Sequence, residues 1–207
     1  MKTIIAVTFI GILTYALDEK CSETELTECN KPAMADFDSD KYSLFMPAFA
    51  THSRYGTGVT VCRVFKSVTI SCDTVETDVY GYYQHSGRIY QYKMLCITFE
   101  EDYRKGQFWA TCKIVKDSYY GNELIITPFK LYMSVVDTDY ENYAIFYTCI
   151  KDKTGVEDNY EVLQKNPPTG DEPAKGALEK IKMKLEDFKH RNVTYCQNGI
   201  KEDKKET

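Results

Sequence analysis

Glu123-Leu124-Ile125-Ile126-Thr127-Pro128-Phe129-Lys130-Leu131-Tyr132-Met133-Ser134-Val135-Val136 decides the class of this chain. Ile125, Thr127, Phe129, Leu131, Met133 and Val135 fall on one face, and Lys130, Tyr132 and Ser134 fall on the other. That period of two belongs to a β-strand. Similar short segments lie on both sides, at 45–53, 59–75 (broken near Lys66-Ser67), 79–83, 88–99, 107–116, 143–151 and 159–165. Ser86-Gly87, the charged stretch 100–106, 119–122 and 137–142 separate them. Evenly spaced strands with polar turns point to a sandwich or an up-and-down barrel.

The β-pattern stops at Pro167-Pro168-Thr169-Gly170. Asp171 is a candidate helix cap and Pro173 suits a first turn. Ala174, Ala177, Leu178, Ile181, Leu185 and Phe188 then recur at helical spacing, with charged residues between them. This predicts one amphipathic helix docked on the barrel wall.

At the other end, Met1-Lys2 is followed by an apolar run, Ile4 to Leu13, too short to span a bilayer. Thr14-Tyr15-Ala16 carries small residues where a signal peptidase needs them. Residues 1–16 read as a secretory leader, 17–200 as one domain, and 201–207 as a charged, frayed tail. Export exposes the eight cysteines at 21, 29, 62, 72, 96, 112, 149 and 196 to an oxidising compartment. Eight cysteines allow 105 connectivities, and spacing does not choose among them. No C-x-x-C or histidine pair offers a zinc site. Asp36, Asp38 and Asp40 alternate, but lack the glycine and terminal glutamate of a calcium loop. Asn192-Val193-Thr194 is the one N-glycosylation acceptor.

The formal charge of −5 argues against nucleic acid and anionic membranes as partners. No G-x-S-x-G, H-E-x-x-H or P-loop is present, so no enzyme is expected. Seventeen tyrosines suit pocket walls, interfaces or sheet surfaces.

Several strings narrow the class further. The leader Met1 to Phe9 with Gly11-Ile12-Leu13-Thr14, then Ala33 to Tyr42, Ala50-Thr51-His52-Ser53 and Val61-Cys62-Arg63, resemble the salivary lipocalins of triatomine bugs. So do Tyr143-Ala144-Ile145-Phe146-Tyr147-Thr148-Cys149 and Tyr160-Glu161-Val162-Leu163. The resemblance is to the triabin-, pallidipin- and triafestin-like branch of the calycins. It implies an eight-stranded antiparallel lipocalin barrel with a C-terminal helix outside. The general lipocalin G-x-W is missing, since 43–49 holds neither Gly nor Trp and the single tryptophan is Trp109. By resemblance the disulfides are Cys29–Cys149, Cys62–Cys196 and Cys96–Cys112, leaving Cys21–Cys72. Haem-binding members place a histidine about eighteen residues beyond the cysteine that Cys62 matches. Tyr80 stands near that place, so no haem or other cofactor is expected. His52, His85 and His190 read as packing or surface residues.

The resemblance further implies a secreted, monomeric salivary protein that impairs host haemostasis. Two routes follow. Binding of contact-phase proteins would use acidic surface, for which Asp73, Glu76 and Asp78 are the candidate loop. Capture of an eicosanoid such as thromboxane, with loss of collagen-induced platelet aggregation, would use a cavity lined by Tyr90, Tyr92, Met94, Phe129, Leu131 and Met133.

Overall fold

A computed structural model describes residues 28–71, 73–121, 127–153, 155–165, 170–192 and 196. The expected leader, the tail and the Cys21–Cys72 pair lie outside these residues.

The Asp38 carboxylate accepts from the backbone N–H groups of Asp40 and Lys41, which starts a short helix α1, Ser39–Phe45. Pro47 cannot continue it. Strand β1 therefore begins at Ala48 and runs Ala48–Ser53, three residues later than the sequence pattern suggests. Phe45 is fully buried on the helix instead. Strands β2 (Val64–Ser71), β3 (Thr74–His85), β4 (Arg88–Phe99), β5 (Gln107–Asp117), β6 (Phe129–Thr138), β7 (Tyr143–Lys151) and β8 (Val156–Gln164) follow. Ser86 and Gly87 take φ of 50° and 75°, the backbone a two-residue hairpin turn requires, and they join β3 to β4.

Each strand pairs antiparallel with the next, in the order β2-β3-β4-β5-β6-β7-β8-β1. Strand β1 also pairs with β2 through Ala48↔Phe65 and Phe49↔Val64, which closes the sheet into an eight-stranded barrel. The expected break at Lys66-Ser67 is a register shift within β2, not a strand end. The expected short strand at 79–83 is the middle of the twelve-residue β3. The charged stretch 100–106 is not all loop: Glu100–Tyr103 forms helix α2, held by Arg104 reaching back to Glu100 at 2.6 Å.

Two cores share the barrel wall. Inside lie Phe65, Val75, Val79, Met94, Leu131, Met133, Val135 and Phe146. Outside, Tyr132, Ile145, Tyr147, Tyr160 and Val162 pack against Ala174, Ala177, Leu178, Leu185 and Phe188. Both faces of β6 are therefore buried around Leu131 to Val135. The C-terminal helix α3 is shorter than expected, spanning Glu172–Lys180, and its cap residue Asp171 makes no side-chain cap bond. Lys182 adopts φ of 61°, and Leu185–Asp187 forms one 3₁₀ turn. A ninth strand, β9 (Lys189–His190), then pairs with β1. Leu185 and Phe188 reach the same apolar wall without helical backbone.

Disulfides join Cys29–Cys149, Cys62–Cys196 and Cys96–Cys112. The last links facing residues of β4 and β5.

Candidate functional site

One end of the barrel is formed by the starts of β2, β4, β6 and β8 and the ends of β1, β3, β5 and β7. A cavity of about 80 Å³ opens there. Strand alternation supplies its walls. Tyr92 and Met94 come from β4, Leu131 and Met133 from β6, Phe65 from β2 and Phe146 from β7, with Phe129 nearer the mouth. Phe65 and Phe146 meet edge to face at 5.3 Å. Tyr55, Glu157, Asp158 and Asn159 add a polar rim. The volume is well below the roughly 300 Å³ at which pockets begin to enclose whole drug-sized molecules. It admits a head group, and Met94 and Met133 are unbranched side chains able to give way to more.

Into this apolar space project two charges. Glu161 of β8 is fully buried, and its Oε1 accepts from the Arg63 guanidinium just ahead of β2. Burial drives the Glu161 carboxyl pKa up, and Arg63 only partly opposes this. Burial also opposes the Arg63 charge, but Glu161 and then Tyr92 more than offset it, so the guanidinium is held more firmly protonated. Burial likewise raises the Tyr92 phenol against the pull of Arg63. The pair is incompletely satisfied. Arg63 Nε and Glu161 Oε2 are buried and have no hydrogen-bond partner among the described residues. The residues lining the cavity thus hold one unpartnered donor and one unpartnered acceptor, both closed off from solvent.

Sequence reasoning brings Tyr92, Met94, Phe129, Leu131 and Met133 to this cavity, and the structure places all five in its lining. Tyr90 is not among the lining residues. It lies farther out, against Tyr83 at 5.6 Å and Tyr119 at 4.8 Å. Tyr83 in turn donates to Asp117 at 2.9 Å. Arg63 and Glu161 are named by no sequence pattern as site residues. The available signal is polarity at inward positions of otherwise apolar strands, as in Tyr160-Glu161-Val162-Leu163.

The acidic trio does not form a loop. Asp73 is the exposed turn residue before β3, while Glu76 and Asp78 lie within β3 on its outer face. Asp78 pairs with Lys93 at 3.1 Å. The β2–β3 turn also lies at the end of the barrel opposite the cavity mouth. His52 is buried and meets His190 edge to face at 4.6 Å, and His85 packs on Tyr119 at 5.3 Å. Asn192 is exposed, and its backbone N–H donates to Gly58 at 2.7 Å.

The family model described as Triabin matches residues 18–181. Pallidipin of Meccus pallidipennis is 31% identical over 198 residues, covering 96% of this chain and 99% of that protein. Platelet inhibitor triplatin-2 of Triatoma infestans is 31% identical over 174 residues, covering 80% and 83%. Among solved structures, the tryptamine complex of the amine binding protein of Rhodnius prolixus superposes with a TM-score of 0.62 at 20% identity. That match covers 78% of this chain and 84% of the other, and it is a likeness of fold.

Proposed function

This chain belongs to the Triabin family, and from that premise we propose that it is a secreted carrier that captures an oxygenated fatty acid in its barrel and so impairs host haemostasis. It is not an enzyme; proteins of this family bind ligands or inhibit. The observation that carries the reading is the Arg63–Glu161 pair, with its vacant Nε–H and Oε2 inside an apolar cavity. An eicosanoid of the thromboxane class carries both complements on one chain. Its carboxylate accepts from Arg63, and a hydroxyl donates to Glu161. Its hydrocarbon tail then lies along Met94, Met133 and Phe129 toward the mouth. An amine would answer Glu161 alone, leaving the Arg63 donor vacant. The similarity to platelet inhibitor triplatin-2 supports platelets as the affected system.

The contact-phase reading lacks comparable support. Its acidic residues are spread between a turn and a strand, and Asp78 is already paired.

Titration calorimetry with a stable thromboxane analogue, with tryptamine as the comparison, tests the proposal. The analogue should bind and Arg63→Met should weaken it at least about tenfold, as expected when a buried charge partner is removed. Collagen-induced platelet aggregation should fall, with the contact-phase clotting time unchanged. Binding of tryptamine in preference, or a prolonged contact-phase clotting time with no analogue bound, would overturn it.

A further inference from the structure

We propose a second binding site, on the outer wall of the barrel, that takes an oxyanion on Arg191. Arg191 follows β9 and is only 8% exposed. Its backbone N–H donates to Thr51 at 2.9 Å, which fixes the segment beside β1. Its guanidinium forms no ion pair with any carboxylate among the described residues, whereas the other buried arginine, Arg63, has Glu161. Burial alone lowers the Arg191 pKa, with no neighbouring charge compensating. A buried charge of this kind is costly unless something pairs with it.

The surroundings match an anion. Arg191 lines a small groove with Arg63, Val64, Tyr80, Tyr82 and Gln91, close to the Cys62–Cys196 bridge. On β3, Val75, Val79 and Tyr83 point into the barrel, so Tyr80 and Tyr82 point out of it. The groove therefore opens on the outer side of the wall, and it shares Arg63, just ahead of β2, with the cavity. Its volume is about 20 Å³, and a water-sized group needs roughly 10–15 Å³. One oxygen of a carboxylate or sulfate fits, with the rest of the group and its carrier outside.

Further positive charge stands at the rim. Lys66 Nζ lies 4.3 Å and Lys93 Nζ 5.3 Å from the centroid of the Tyr80 ring. Asp78 pairs with Lys93 at 3.1 Å. An arginine fork and a Gln91 amide are donors suited to oxygen acceptors. A neutral group would leave the Arg191 charge uncompensated, and a cation would be repelled. The oxyanion can be free in solution or be a side-chain group of an acidic peptide.

The test has two arms. In the first, thermal unfolding is followed while sodium chloride is replaced by sodium sulfate at constant ionic strength. Sulfate stabilises folded proteins generally, so the readout is the difference between wild type and Arg191→Gln. In the second, fluorescence anisotropy follows a labelled acidic peptide. Gln91→Trp, which blocks the groove and leaves Arg191 in place, serves in both arms should Arg191→Gln fold poorly.

The wild type should gain more from sulfate than either variant. A peptide-carried site should also bind the peptide at least about tenfold more tightly than the variants do. A sulfate difference without peptide binding assigns the site to a free anion, and peptide binding assigns it to an acidic peptide. Equal responses of wild type and both variants would overturn the site. Binding of the thromboxane analogue should be unchanged by Gln91→Trp, which separates this result from the fate of the barrel proposal.

Discussion

Arg63 and Glu161 are each intolerable alone where they stand. Removing one partner of a buried pair costs about 3–5 kcal/mol, because the other charge stays buried without compensation. Arg63→Met should therefore destabilise by about that amount at pH 7, measured by urea unfolding. Arg63→Met with Glu161→Leu should recover most of the loss. The pH dependence of the single mutant has a definite sign. The folded Glu161 carboxyl already titrates above its ordinary value of 4.5, through burial. Without Arg63 that elevation grows. The protonated form is then compatible with the fold, so the mutant should be least impaired near pH 4.5 and lose stability as pH rises.

Gly81 controls the same site from the neighbouring strand. A Cβ there would lie 2.5 Å from the Tyr92 hydroxyl and 2.6 Å from Cζ of its ring. Gly81→Ala should push Tyr92 off the cavity wall, at a cost of about 1–3 kcal/mol for overpacking. Weaker analogue binding, read by calorimetry, should accompany it.

His52 gives a second pH effect. Burial lowers its pKa below 6.5; Asp171 opposes this, and His190 and Arg191 add to it. The unfolded chain then binds a proton near pH 6.5 that the folded chain refuses until lower pH. Stability should be level above that value and fall as pH drops through it. His52→Asn should flatten this part of the profile, as measured by thermal unfolding between pH 5 and 8.

At the scale of elements, the best-defined strands were those with clear alternation between strong turn residues. Strand β4 begins after Ser86-Gly87 and ends at Phe99, and β7 fills 143–151, as the sequence pattern has them. Elements escaped where one pattern served two structures. Phe45 is apolar and precedes a strand, yet the Asp38 cap and Pro47 give it to α1. Leu185 and Phe188 continue a helical period, but the chain leaves the helix after Lys180 and returns them to the wall through a 3₁₀ turn. Glu76 and Asp78 looked like loop residues because they are polar; they alternate with Val75 and Val79 in a strand whose outer face meets water. Leu178 is fully buried between α3 and the barrel. Leu178→Ala should cost about 2–5 kcal/mol, whereas a change at the exposed Glu179 should cost little; denaturant midpoints compare them directly.

For the molecule as a whole, disulfides fasten the chain at separate places around the barrel, at β7, ahead of β2, and between β4 and β5. Cys62 and Cys196 are 134 positions apart, and Cys96 and Cys112 are 16 apart. If loop closure dominates, removing the first pair should cost about 4–5 kcal/mol and the second about 3 kcal/mol. Paired Cys→Ser substitutions, unfolded in denaturant, give the comparison. The longer bridge also holds the segment that carries Arg191, so its loss should abolish the sulfate difference while barrel binding persists.

Period-two alternation and turn residues determined, from sequence alone, a β-rich domain with a helical C-terminal segment. The family resemblance added the closed barrel and the pairs Cys29–Cys149, Cys62–Cys196 and Cys96–Cys112. Alternation also grouped Phe129 with Leu131 and Met133, and Tyr90 with Tyr92 and Met94, because which side chains share a face of a strand is a local property. Tertiary structure alone decided that Arg63 meets Glu161, 98 positions away. It also decided that Tyr90 misses the cavity, that Asp78 is held by Lys93, and that Arg191 is buried without a carboxylate. Each of these depends on which strands become neighbours when β1 closes on β2, and barrel closure brings together residues that share no local pattern. Charge in the sequence is only a letter; its partner, its burial and its chemistry are set by that closure.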